Sequence, residues 1–197
     1  MESNGACNRR HMLGILGTGT VVGVAGCLGT NDDDGPGDDA DIEEAVEFPA
    51  ERACAVCSMV TEEYPDWNAQ LVHEDGTREF VCSAGCMAAY YAAPEAFDGP
   101  DVAVANVWVT EYETGELIDA SEAVFVRVSH SDHVDDIMMK NPTPFAERSD
   151  AEAFIDEFDE YDEDDIITLE DFDMDLATFY RGRFFESSDD GDTGHDH

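Results

Sequence analysis

Lysine is almost missing from this chain of 197 residues: Lys140 is the only one, and nine basic side chains in all face 48 acidic ones, for a formal net charge of −39. A surface so poor in cations repels a phosphate backbone, which excludes nucleic acid as a partner. The acids run from Asp32 to Asp196 rather than in one block, so the excess reads as the solvated surface of a halophile's protein. Molar salt shortens the Debye length to about 3 Å and screens the self-repulsion. A long apolar run is lacking too. The stretch from Leu13 to Gly26 has 14 residues, against the roughly 20 that a membrane-crossing helix needs. Ser58 and Ser83 lack a nearby histidine with an orienting acid, and the many carboxylates cannot be ranked as acid–base pairs, so no catalysis is expected.

What precedes and follows that short run gives it a meaning. Arg9 and Arg10 stand directly ahead of it, the pattern of a twin-arginine export leader over residues 1–26. It ends in Val24-Ala25-Gly26-Cys27, similar to the lipobox at which a cysteine is lipid-modified, so the mature chain is expected to begin at a lipid-anchored Cys27. Cys7 would leave with the leader. Residues 27–48 are mostly Asp, Gly and Ala with little to bury and read as a disordered acidic tether. The expected location is the outer face of the cell membrane.

Four of the six cysteines lie between residues 54 and 86, as Cys54-x2-Cys57 and Cys82-x3-Cys86, with 24 residues between the pairs and Met59 and Met87 just behind them. Thiolates and thioethers form a soft donor set that selects Cu(I) or Zn(II) over Ca(II) or Mg(II). The competing readings are a small buried hydrophobe or a disulfide at each position. Cys82 and Cys86 on one helix would hold their β-carbons about 5 to 6 Å apart, too far for the roughly 3.5 to 4.5 Å of a disulfide, yet both can reach one metal at about 2.3 Å. Cross-pairing between the two pairs stays open. Met138 and Met139 lie in a proline-bounded, charged loop, where a thioether ligand is as reasonable as packing. His73 reads as an imidazole donor or a solvated turn residue, and His130 with His133, like His195 with His197, as a weak metal pair. A thiol–disulfide oxidoreductase needs C-x2-C at a helix start; Pro65 and the strand-like residues after Cys57 argue against it.

The expected fold class is α+β. Trp67 to His73 and Thr77 to Val81 are short β-rich runs around Glu74-Asp75-Gly76, a hairpin turn signal. Cys82 to Ala92 reads as a helix stopped by Pro94, and Val102 to Thr110 as a strand. A second pass follows: strands at Leu117-Ile118, Ala123 to Val128, Pro144 to Glu147 and Asp165 to Leu169, with an amphipathic helix from Asp150 to Phe158. The folded part therefore reads as two tandem ββαβ halves in one compact unit, residues 49–119 carrying the cysteines and 120–185 ending in a closing segment, with a disordered tail over 186–197.

These residues resemble the NosL family of nitrous-oxide reductase accessory lipoproteins. The resemblance rests on Cys54-x-x-Cys57-x-Met59-Val60, the hairpin ending in Phe80, Gly85-Cys86-Met87 followed by Tyr90, and Met138 or Met139 before Pro144-Phe145-Ala146. It implies a membrane-anchored Cu(I)-binding protein that supplies copper to nitrous-oxide reductase or another exported cupro-enzyme, with ligands drawn from Cys54, Cys57, Cys82, Cys86, Met59, Met138 and Met139. The chain departs from the family in three places. Ser58 replaces a glycine, Cys82 adds a thiol, and no proline precedes Met138-Met139. The added thiol admits a rival, a structural zinc module of the four-cysteine treble-clef type that binds a protein partner.

Overall fold

The computed structural model describes residues 42–136 and 138–185; the expected leader, the expected lipid-attachment site at Cys27 and the histidine tail lie outside them. The first folded unit is a hairpin of β1 (Ala69–His73) and β2 (Arg78–Val81), then α1 (Ala84–Ala92) and the returning strand β3 (Val104–Thr110). The Asp-Gly turn forms as expected: Gly76 adopts φ 83° and the Asp75 carboxylate accepts the Thr77 N–H at 2.9 Å. β1 runs antiparallel to both neighbours, and β4 (Leu117–Asp119) extends β3, giving the order β2-β1-β3-β4. The same sequence of elements then repeats as β5 (Val124–Arg127), β6 (Pro142–Phe145), α2 (Arg148–Ile155) and β7 (Ile166–Ile167), in an antiparallel sheet ordered β6-β5-β7. α3 (Met174–Arg181) closes the fold. Two ββαβ halves in one α+β unit is thus the architecture that forms.

Several boundaries move, each for a physical reason. The Leu117-Ile118 strand joins the first sheet, where Ile118 pairs with Val109. β6 starts two residues earlier than expected because an edge strand needs ladder hydrogen bonds on one side only, so it accommodates Pro142 and Pro144. α1 begins at Ala84 rather than Cys82, since the Ser83 hydroxyl accepts the Cys86 N–H at 3.3 Å and caps the helix.

α1 reads Ala-Gly-Cys-Met-Ala-Ala-Tyr-Tyr-Ala and is buried on every side from Ala84 to Tyr90. A helix apolar all round has no solvent face, and its small residues let β1 and α3 both approach it. Ala69, Leu71, Val81, Val107 and Val109 meet α1 in the first core, which Phe125, Phe172 and Leu176 complete; Val126, Phe145 and Ile166 build a second core with Ala151, Phe154 and Ile155 of α2. His73, expected at a solvated turn or as a ligand, is fully buried and bonds the Val102 carbonyl and the Tyr90 hydroxyl, each at 2.9 Å. It fastens the hairpin to the end of α1.

The last seven residues of the expected tether are part of the fold. Pairing puts Gln70, Phe80 and Trp108 on the face of the first sheet opposite α1, and residues 42–48 cover it. The Gln70 amide donates to the Val46 carbonyl at 2.8 Å and its oxygen accepts the Val46 N–H at 3.0 Å. Asn106 donates to the Ile42 carbonyl at 2.7 Å, and Phe48 packs edge-on to Phe80. The composition of this segment signals disorder, but a sheet face with apolar and amide groups to satisfy holds it. Replacing Gln70 with Ala removes both hydrogen bonds to Val46 and is expected to destabilise the protein by about 1–3 kcal/mol, read by thermal unfolding in concentrated KCl, with faster amide exchange at Val46.

Candidate metal centre

The first cysteine pair sits on a loop that folds back on itself. An antiparallel bridge joins Ala53 and Val60, the Cys54 N–H donates to the Met59 carbonyl at 2.7 Å, and the Ser58 N–H donates to the Cys54 carbonyl at 3.0 Å. The reversal needs a left-handed residue, and Ser58 supplies it at φ 64°, the position where the resembled family carries glycine. The Ala55 N–H donates to the Phe80 carbonyl at 3.0 Å, docking this loop beside the end of β2. There the second pair begins: Cys82 directly follows β2, and Cys86 lies in the first turn of α1. The i, i+4 helix geometry expected for Cys82 and Cys86 does not apply, because Cys82 precedes the cap.

The four sulfurs converge. All lie within 4.8 Å of one another, with Cys57 and Cys82 at 3.3 Å and Cys82 and Cys86 at 3.8 Å. None is in a disulfide. Four sulfurs at about 2.3 Å from one tetrahedral metal stand about 3.8 Å apart, so the cluster needs only small adjustments to hold an ion. Cys54, Cys82 and Cys86 are buried, while Cys57 is half-exposed. Crowding splits their acidities. Cys86 and Cys57 are held below the usual thiol range, chiefly by the neighbouring Cys54 thiol; Arg181 adds to the effect on Cys86. Cys54 is pushed up by sharing its hydrogen with Cys57, and Cys82 by hydrogen bonds to Cys54 and Cys57, with burial adding to both.

Arg181 is the residue that sequence reasoning missed. It is 2% exposed, and its guanidinium has five N–H groups to satisfy. Nε donates to the Cys86 sulfur at 3.3 Å, Nη1 to the carbonyls of Tyr180 at 2.9 Å and Lys140 at 3.3 Å, and Nη2 to the Ser83 hydroxyl at 3.0 Å and to the Asn141 side-chain oxygen. No carboxylate pairs with it among the described residues. The Asn141 oxygen also accepts the Gly85 N–H at 2.9 Å, and its amide donates to Asp136. Burial pushes the Asp136 carboxyl up to about 6, against the pull of its bond from the Met138 N–H and of Arg181. A chain of contacts therefore joins the Met138 loop to Cys86. It leaves no room for a side chain on α1 at Gly85, where a Cβ would meet Asn141 and Arg181 atoms closer than 3.0 Å. The one available signal was a basic residue inside the apolar closing segment of a chain with very few cations.

The expected methionines are placed differently. Met59 and Met138 are half-buried against the core that holds the cysteines, whereas Met139, at φ 76°, is 62% exposed. His133 is taken up by aromatic packing, stacked on Phe158 and bonded to the Tyr161 hydroxyl at 2.7 Å.

Fold and site together define a small α+β protein built around four free thiols able to hold a soft metal ion. The profile of the NosL family matches residues 45–166, more than half of the chain, and the protein belongs to that family. It is similar in structure to the copper chaperone NosL from Shewanella denitrificans, with 22% identity and a TM-score of 0.48, over 61% of this chain and 97% of that one. No curated protein matches it.

Substitutions at two positions check this geometry. Ser58→Gly is expected to relieve the left-handed strain and stabilise the metal-free protein by about 1 kcal/mol, seen as a higher Tm. Arg181→Met is expected to weaken metal binding by about 10–100-fold, as loss of a group that orients a ligand does, in a chelator competition. Arg181→Lys, which keeps the charge but loses the fork, should restore only part of it.

Proposed function

We propose that this chain is a Cu(I) carrier, lipid-anchored through Cys27 at the outer face of the cell membrane after twin-arginine export, which supplies copper to nitrous-oxide reductase or another exported cupro-enzyme. The observation that carries this reading is the convergence of four free thiols beside a buried arginine in a NosL family member. Cu(I) is a soft ion and is held well by thiolate and thioether donors. Two or three of the cysteines, with Met59, Met138 or Met139 as a thioether partner, form such a set. Cys57 is the half-exposed sulfur, so an incoming ligand meets it first, and the metal passes through an intermediate shared by both proteins. This is ligand exchange without chemical turnover, in keeping with a protein that is not an enzyme. No helix among the described residues is long and apolar enough to cross a membrane.

The mutual approach of all four sulfurs within 4.8 Å favours one other reading, a structural zinc site closed by Cys54, Cys57, Cys82 and Cys86 in a protein-interaction module. X-ray absorption at the copper and zinc edges separates the two, on leaderless protein purified anaerobically in high salt. The carrier reading expects one copper per chain with sulfur scatterers, loss of copper in Cys57→Ser, and affinity about tenfold weaker in Met138→Leu or Met139→Leu. Zinc with four sulfurs, indifferent to the methionine changes, would replace it with the module.

A further inference from the structure

Seven basic side chains lie among the described residues, and most are committed. Arg52, Arg127 and Arg148 pair with Glu79, Asp165 and Glu152 at 2.9, 3.0 and 2.9 Å. Arg78 bonds the Gln70 oxygen at 2.8 Å and the Glu44 carbonyl at 3.0 Å, and Arg181 is buried at the sulfurs. Lys140 and Arg183 have no such partner among the described residues. The Lys140 ammonium lies 3.7 Å from the Phe179 ring centroid and the Arg183 guanidinium 4.6 Å from that of Phe184. Each is held over an aromatic face, which attracts a cation without neutralising it.

Both line one open cavity of about 390 Å³, together with Met138, Met139 and Arg181. Apolar surface gathers on the same elements: Met139 is 62% exposed and Phe179 44%. The cavity also borders the sulfur site, since Arg181 donates both to the Lys140 carbonyl and to Cys86. On a chain with a net charge of −39, an acidic partner is repelled almost everywhere. Here alone among the described residues do unpaired cations stand together beside exposed apolar side chains.

We propose that this patch is the docking face for an acidic partner protein that exchanges metal with the chain, its carboxylates pairing with Lys140 and Arg183 around an apolar centre that covers Met139 and Phe179. The metal-exchange role rests on the carrier reading; the surface chemistry does not. In molar salt only charges in contact act on each other, so recognition by this patch survives where long-range repulsion is screened.

The surface is tested without metal by following amide resonances of the leaderless chain in molar KCl while a short oligoglutamate peptide is added. Shifts centred on Met139, Lys140, Phe179 and Arg183 that vanish in the double variant Lys140→Glu/Arg183→Glu support the proposal. Absence of shifts, shifts elsewhere, or shifts that persist in the double variant overturn it, as does a concentration-dependent dimer covering the same residues. Copper transfer to apo nitrous-oxide reductase tests the role. The double variant is expected to keep its Cu(I) affinity within about twofold and to transfer about tenfold more slowly; equal transfer rates overturn docking at this face. Failure of the unsubstituted chain to transfer copper counts against the carrier reading, and the peptide titration still decides the surface.

Discussion

A guanidinium withdrawn from water must find an acceptor for each N–H, and in this protein those acceptors come from three separate parts of the chain. Arg181 draws together the start of α1 through Ser83 and Cys86, the loop before β6 through Lys140 and Asn141, and the end of α3 through its own neighbour Tyr180. Burying an unpaired charge costs several kcal/mol, so these pieces cannot separate without exposing or stranding it. Its side-chain acceptors are the Cys86 sulfur, the Ser83 hydroxyl and the Asn141 oxygen, with no carboxylate among the described residues, which ties Cys86 to the packing of α3. Metal binding and tertiary structure therefore share one interaction. The bare backbone at Gly85 follows from the same constraint, since Asn141 and Arg181 occupy the space of a side chain there.

Much of this was legible in the residues themselves. Cysteine spacing located the sulfur cluster because two short-range pairs joined by a hairpin have few ways to avoid meeting. The Asp-Gly turn and the short β-rich runs around it located the first sheet. What escaped was long-range. Arg181 is 95 positions from Cys86, and a basic residue within an apolar closing segment does not by itself say which partner it meets. The segment 42–48 escaped for the opposite reason. Its composition is that of a solvated linker, and the order comes from Gln70, Arg78, Phe80 and Asn106 on a sheet face it does not belong to. His73 was misjudged because the turn beside it is exposed, while the Tyr90 hydroxyl that receives it lies on another element.

The methionines show where pattern stops. Met138 and Met139 are adjacent and chemically identical, yet one is half-buried against the cysteine core and the other is mostly in solvent. Left-handed backbone at Met139 turns the chain between them. Ser58 is the counterpart on the first loop, where the backbone demands a conformation that its side chain tolerates poorly. Both positions lie at the ends of segments that carry candidate ligands, where strain and function tend to coincide.

The prolines of β6 have a consequence for how the protein keeps to itself. An open strand edge invites a second molecule to add its own strand, and acidic chains usually discourage this by mutual repulsion. Repulsion of that kind fades as salt rises, with a reach of only about 3 Å at molar ionic strength. Pro142 and Pro144 remove two backbone donors from the edge outright, and the Pro144 carbonyl is already taken by the Tyr112 N–H at 3.0 Å. This protection against strand-to-strand aggregation is built into covalent structure, so it persists unchanged in brine where charge no longer serves.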